Sequence, residues 1–257
     1  MTPVHIAALG LAACCVVAFV AWLASVPLRD VSIVDSAWSI LVMAPMLVAV
    51  ALTAQDGPRT SWLPLLAGMW ALRLAVYVTW RHRGHPEDPR YQAIRARNEP
   101  GFAVKSLYLV FGLQALLAWV VAMPVVAGVQ STTPWNWLDA VGIALFVGGL
   151  VIETAADAQL ARFKANPANH KRVMAQGLWR FSRHPNYFGE FCVWWGLWLV
   201  AVAAGAWWTV ASPLLMTVLL LKVSGVTLLE KHMADRGPAY RAYAARTNAF
   251  FPWRPHP

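Results

Sequence analysis

The chain has 257 residues, of which 59% are hydrophobic and only 13% are charged. Soluble domains usually carry about 25% charged residues, so this composition excludes an ordinary soluble fold. It predicts an all-α integral membrane protein with one domain, 1–257. The net charge of +9 would suit a nucleic-acid partner, but the basic residues follow membrane topology, which argues against one. The three cysteines, two of them adjacent in an apolar run, form neither a disulfide framework nor a metal motif.

Seven apolar runs are long enough to cross about 30 Å of hydrocarbon, which takes about 20 helical residues. The segments 81–105, 159–187 and 231–257 hold 17 of the 21 Lys and Arg residues. By the positive-inside rule the N-terminus is outside and the C-terminus cytoplasmic, which agrees with an odd number of spans. The predicted spans are 4–27, 37–54, 60–80, 106–128, 136–158, 188–206 and 208–230.

Ionisable residues lie within or at the ends of these runs, mostly on the predicted cytoplasmic side. Asp35 begins the second span, and Arg73, Tyr77 and Arg81 follow one another at i+4 spacing in the third, which puts them on one helix face. Such charges are costly in a bilayer and indicate a functional cavity. Paired charges that only fix helix packing are the alternative reading. Further residues of this kind are Glu153, Asp157, Glu190, Lys222 and Glu230.

The segment EDPRYQAIR, from Glu87 to Arg95, follows the third span. Arg90 and Tyr91 could clamp a phosphate or stack on a base. The alternative is an amphipathic helix that begins after Pro89 and lies on the membrane surface. The two readings are compatible.

The segment RFSRHPNYFGE, from Arg180 to Glu190, is polar although it leads into an apolar run. Pro185 suits the first turn of a helix, whose start favours phosphate binding. Asn186 has the donor and acceptor that recognise a carboxamide, and Glu190, one turn later, can hold a ribose hydroxyl. The segment therefore suits an anionic dinucleotide. A helix cap with topology charges is the alternative.

The same residues carry a family resemblance. GLWRFSRHPNYFGE is preceded by Asp157-x-Gln-x-x-Arg162 and followed by LLEKHMADRGPAYRAYAARTNAFFPW, and VDSAW and GHPEDPRY occur upstream. This pattern resembles the steroid 5-alpha-reductase family, in particular its bacterial branch, over most of the chain and most strongly over 150–253. The resemblance implies a seven-helix enzyme of the bacterial inner membrane that binds NADPH from the cytoplasm. It also implies reduction of a carbon–carbon double bond conjugated to a ketone, as in 3-oxo-delta-4 steroids.

The resemblance and the chemistry of the residues together suggest the site residues. Reduction of an enone needs a donor at the developing enolate oxygen, and we expect Asp35 and Tyr77 to provide it; Trp70 stands near the position of the family's tyrosine. The steroid or other lipid would enter from the bilayer. The expected NADPH-binding residues are Arg81, Arg83, Arg90, Tyr91, Asp157, Lys164, Arg172, Arg183, His184, Asn186, Tyr187, Glu190, Glu230, His232 and Tyr240.

Two other functions remain open. Isoprenylcysteine carboxyl methyltransferases have a similar RHP-x-Y motif and a tail glutamate, so a membrane methyltransferase that uses S-adenosylmethionine is the first alternative. A transporter or non-catalytic scaffold is the second, but the nearly charge-free outer half disfavours a polar path through both leaflets. The chain has no G-x-G-x-x-G, so a Rossmann domain is not expected.

Overall fold

The fold of the protein is helical throughout the part that the structure describes. A computed structural model describes residues 1–54, 56–170, 172–223, 225–227, 230 and 237–255. No β-strand occurs in these ranges, which confirms the all-α prediction. The chain divides into two compact units, Met1–Trp135 with Ala203–Thr209, and Asn136–Val202 with Val210–Pro257. The single domain over 1–257 stays a prediction.

The first unit contains four long apolar helices and one short polar helix. α1 and α2 approach closely because Gly10 has no side chain: a Cβ there would lie 2.8 Å from the Cβ of Pro45. Membrane helices associate through small residues of this kind. Leu41, Met46 and Trp70 are fully buried in the core of this unit. The helices are α1 (Pro3–Leu28), α2 (Ile33–Leu52), α3 (Trp62–His82), α4 (Pro89–Asn98) and α5 (Phe102–Val129).

The second unit is organised by a row of glycines between its two longest helices, α6 (Trp137–Ala165) and α7 (Pro185–Ala203). A Cβ on Gly142 would lie 2.7 Å from the carbonyl oxygen of Gly196. One on Gly149 would lie 2.5 Å from the carbonyl oxygen of Gly189. The two pairings run in opposite directions along the chain, so the helices are antiparallel. We call Gly142, Gly149, Gly189 and Gly196 the glycine seam.

The rest of the second unit consists of shorter helices. α8 (Ala211–Val218) continues as the π-helical segment Leu219–Val223. The last helix is α9 (Pro238–Arg246), whose N-cap Gly237 has a φ of 94°. A positive φ of this size favours glycine.

Among the described residues, five helices are long and apolar enough to span a membrane, which indicates an integral membrane protein. They are α1, α2, α3, α5 and α6, and each overlaps one of the first five predicted spans. The sixth and seventh spans, and with them the orientation of the termini, are not confirmed. α7 begins with polar residues, and the apolar helix Trp207–Val223 has 17 residues. Its rise is about 25 Å, which is less than the hydrocarbon thickness.

Arg59 has a structural role that the sequence does not reveal. It is fully buried, and its guanidinium donates to the carbonyl oxygens of Thr133 at 2.7 Å and Pro134 at 3.4 Å. It therefore joins the α2–α3 and α5–α6 connections.

Candidate functional site

Asp35 in the first unit accepts hydrogen bonds on both carboxylate oxygens. Arg90 Nη2 donates to Oδ2 at 2.6 Å, and the Tyr91 hydroxyl donates to Oδ1 at 2.5 Å. Arg90 also contacts both oxygens of Asp88, at 2.9 Å and 3.1 Å. We call Asp35, Asp88, Arg90 and Tyr91 the Asp35 cluster. It joins the start of α2 to the start of α4, 55 residues along the chain.

Local sequence explains how α4 presents these residues. Pro89 occupies the first turn, and the Asp88 side chain caps it by accepting from the Arg90 N–H at 2.9 Å. Asp88 is itself held in place, since its N–H donates to Ser32 Oγ at 2.7 Å. The expected helix after Pro89 is confirmed. It carries Arg90 and Tyr91 to Asp35.

The cluster perturbs the ionisation of its members. Burial raises the pKa of Tyr91, and the charge of Asp35 raises it further, so the phenol stays protonated at neutral pH. Burial acts to lower the pKa of Arg90, but the hydrogen bond to Asp88 and the charge of Asp35 outweigh it, and the net pKa is raised. Burial acts to raise the pKa of Asp88, and Arg90 reverses that effect to a net lowering. The cluster is thus a cation between two carboxylates, with a neutral phenol beside it.

A second set of contacts, not anticipated from the sequence, ties the same segments together. Glu87 accepts from Arg95 at 3.0 Å and 2.7 Å and from the Val31 N–H at 2.9 Å. His82 at the end of α3 contacts Asp30 at 2.9 Å. These contacts therefore hold the α1–α2 connection against the segment from His82 to Arg95, which contains the α3–α4 connection. The acidic residues of the segment GHPEDPRY are the sequence feature from which these contacts could have been predicted.

Tyr77, the expected partner of Asp35, has its described contacts elsewhere. Its ring lies 5.5 Å from the Arg73 guanidinium and 5.6 Å from that of Arg81. The shared face of these three α3 residues is thus confirmed. Among the described contacts of Asp35 is the phenol of Tyr91. Arg81 and Arg83 are exposed at the end of α3.

The second unit contains a cluster centred on one carboxylate oxygen. Glu230 Oε1 accepts from Arg183 Nε at 2.9 Å, His184 Nε2 at 2.9 Å and the Tyr240 hydroxyl at 3.0 Å. We call these four residues the Glu230 cluster. Burial acts to raise the pKa of Glu230, but the hydrogen bonds outweigh it and lower the pKa to about 2. Burial and Glu230 raise the pKa of Tyr240 to about 12.

Arg183 is further engaged by the end of α9. Its Nη1 donates to the carbonyl oxygens of Ala244 at 2.8 Å and Thr247 at 2.6 Å. These carbonyls have no partner within the helix, and a cation is favourable there. Arg183 therefore joins α7, Glu230 and α9, and a phosphate would have to displace these contacts.

Polar side chains are buried where the glycine seam ends. Asn186 Nδ2 donates to Asp157 Oδ1 at 3.1 Å, and Asp157, Glu153 and Glu190 are all less than 9% exposed. A Cβ on Gly189 would lie 2.6 Å from the Glu153 nitrogen, so the first turns of α7 lie directly on α6. We call Glu153, Asp157, Asn186 and Glu190 the seam cluster. Tyr187 stacks on His184 with ring centroids 5.6 Å apart.

Other predicted cofactor residues lie at the surface of this unit. Lys164 at the end of α6 and Arg172 are exposed. His232 is outside the described residues. The structure thus brings together Arg183, His184, Glu230 and Tyr240, and separately Asp157 with Asn186.

Comparison with known proteins gives a family. Residues 21–247 match the family described as a protein of unknown function, DUF1295. The chain belongs to the DUF1295 family. The matched range of this DUF1295 protein includes the Asp35, Glu230 and seam clusters.

A relative and the solved structures complete the comparison. The chain is 26% identical over 266 aligned positions to an uncharacterized protein of Schizosaccharomyces pombe, covering 91% of this chain and 76% of that protein. No solved structure matches.

Proposed function

We propose that this protein uses NADPH to reduce the carbon–carbon double bond of a 3-oxo-delta-4 steroid or similar lipid enone. The observation that carries the proposal is the contact of Asn186 with Asp157 at the start of α7, within the motif that resembles steroid 5-alpha-reductases. The motif suggests the reaction, and the contact holds a half-buried amide in a fixed orientation. We further propose the bacterial inner membrane as its location, with the N-terminus outside and the site open to the cytoplasm.

The residues of the second unit fit a dinucleotide. Asn186 donates one N–H to Asp157, which leaves its carbonyl oxygen and second N–H for a carboxamide. The exposed guanidinium groups of Arg172 and Arg180 suit phosphates, whereas Arg183 is engaged by Glu230. When bound, NADPH supplies the hydride.

The carbonyl oxygen of the enone needs a donor as negative charge develops on it. In the first unit the protonated Tyr91 phenol has this capacity once its hydroxyl turns from Asp35, to which it donates in the structure. Burial and the charge of Asp35 keep the proton on the phenol, and Arg90 forms an ion pair with Asp35. We therefore propose Asp35 with Tyr91 as the donor pair, while the role expected for Tyr77 stays a prediction.

The test is single-turnover loss of NADPH absorbance by detergent-purified protein, with and without progesterone. We expect steroid-dependent oxidation and a saturated ketone product. Asn186→Ala should weaken NADPH binding. The control is Asn98→Ala, which removes an amide that donates a hydrogen bond to the Ile94 carbonyl oxygen within α4 and should leave NADPH binding unchanged. If NADPH binds but progesterone is not reduced, the proposed substrate is wrong. Binding of S-adenosylmethionine instead of NADPH would favour the methyltransferase.

A further inference from the structure

A cavity of about 610 Å³ opens in the first unit, and its lining includes no member of the Asp35 cluster. It lies between the end of α1, the turn into α2, the end of α4 and the start of α5. Three charged side chains, Arg29, Arg95 and Glu99, line it together with Val26 and Phe102. Its walls thus combine ionic and apolar groups.

Arg29 provides a cation with no competing partner among the described residues. It caps α1 in the left-handed conformation, with φ 51° and ψ 34°. This conformation is uncommon for any residue except glycine and costs about 1 kcal/mol. The side chain is exposed, and no described carboxylate forms an ion pair with it.

Arg95, by contrast, is already committed. Both oxygens of Glu87 accept from it, and its guanidinium lies 4.7 Å from the ring centre of the buried Phe102. The charge of Arg95 is therefore balanced by Glu87, and its side chain is a fixed part of the cavity wall. A ligand anion would pair with Arg29.

Glu99 supplies the opposite charge at the same cavity. Its Oε2 accepts from the Phe102 N–H at 3.3 Å, and Oε1 has no partner among the described residues. The side chain is exposed. The cavity therefore offers one cation and one hydrogen-bond-accepting anion to a ligand.

The surroundings of the cavity resemble the headgroup level of a bilayer. Trp22 donates its indole N–H to Ala103 at 2.8 Å, and Tyr108 is 61% exposed; both types are enriched at membrane interfaces. Val26 and Val104 are also exposed, on helices that are long enough to span a membrane. Acyl chains can therefore lie along α1 and α5 while a headgroup occupies the cavity.

We propose that this cavity binds the headgroup of an ethanolamine phospholipid. Its phosphate pairs with Arg29, and its ammonium donates to Glu99. A choline headgroup has no N–H to donate, and a glycerol headgroup brings no cation to Glu99. This site does not depend on the proposed reductase activity.

The test measures lipid affinity by native mass spectrometry of the full-length protein in detergent. Dioleoyl-phosphatidylethanolamine and dioleoyl-phosphatidylcholine are titrated in parallel. We expect the ethanolamine lipid to bind about tenfold more tightly, as one charge-assisted hydrogen bond provides. In Glu99→Gln the ratio should fall close to one, because both lipids lose the attraction of their cation to the carboxylate and the ethanolamine lipid also loses its charge-assisted hydrogen bond.

Arg29→Asn should weaken both lipids, because it removes the cation and asparagine tolerates the left-handed conformation. The matched control is Arg97→Asn, which removes an exposed charge from α4 and should change neither affinity. Equal affinities of the two lipids in the unmodified protein would overturn the proposal. So would equal losses in the two arginine variants, or displacement of the lipid by millimolar inorganic phosphate. If Arg29→Asn does not fold, the ratio in Glu99→Gln decides.

Discussion

Gly149 and Gly148 are neighbours in α6 with opposite surroundings, and they offer a sharp test of the glycine seam. A Cβ on Gly149 would lie 2.5 Å from the Gly189 carbonyl oxygen and 2.8 Å from both the Cys192 Cβ and the Val193 nitrogen. Backbone atoms cannot rotate away, so α6 and α7 must separate. A Cβ on Gly148 meets nothing within 4 Å.

Gly149→Ala should therefore destabilise the protein by about 2 kcal/mol, within the usual range for overpacking. For a chain of this size that lowers the midpoint of thermal unfolding by about 4–8 °C. Gly148→Ala should not lower it, since alanine favours the helix. The assay is thermal unfolding in detergent, followed by circular dichroism at matched protein concentration.

Equal midpoints for the two variants would refute the close approach of α6 and α7. The Gly149 variant should also bind NADPH more weakly, because the seam cluster lies where the seam ends. Unchanged binding despite a lower midpoint would separate the seam from the proposed cofactor site.

Three further changes have defined outcomes. The pKa of Glu230 is lowered from 4.5 to about 2, so its ionisation stabilises the fold above about pH 4.5, and this stabilisation is lost as the pH falls towards 2. Glu230→Gln should remove this pH dependence of the unfolding midpoint. Parallel pH profiles of the midpoint in the variant and the unmodified protein would contradict the Glu230 cluster. Tyr91→Phe deletes the hydrogen bond to Asp35 and should lower kcat of the proposed reduction at least about tenfold. Tyr108→Phe, at an exposed tyrosine, should not lower it. Equal rates in the two variants would exclude the Tyr91 phenol as donor. Arg59→Lys cannot reach both of its carbonyl partners and should cost about 2 kcal/mol, measured as a lower unfolding midpoint; an unchanged midpoint would contradict the buried contact.

The sequence by itself determined the local features of this protein. Five apolar runs become helices that are long enough to span a membrane, because hydropathy acts over a continuous stretch of chain. α4 begins at Pro89 and α7 at Pro185, since proline suits a first turn. Arg73 and Tyr77 meet because i+4 spacing alone puts them on one face.

Partnerships between distant residues were decided by the tertiary structure. Tyr91 contacts Asp35, and Arg183, expected among the NADPH-binding residues, joins Glu230 to the end of α9. The partners in these contacts are 56 and 47 residues apart in the chain. Composition and periodicity indicate which face of a helix is polar, but not which residue lies opposite. That depends on the register in which the helices pack, and in the second unit the glycine seam sets it through contacts that exist only once α6 and α7 have come together.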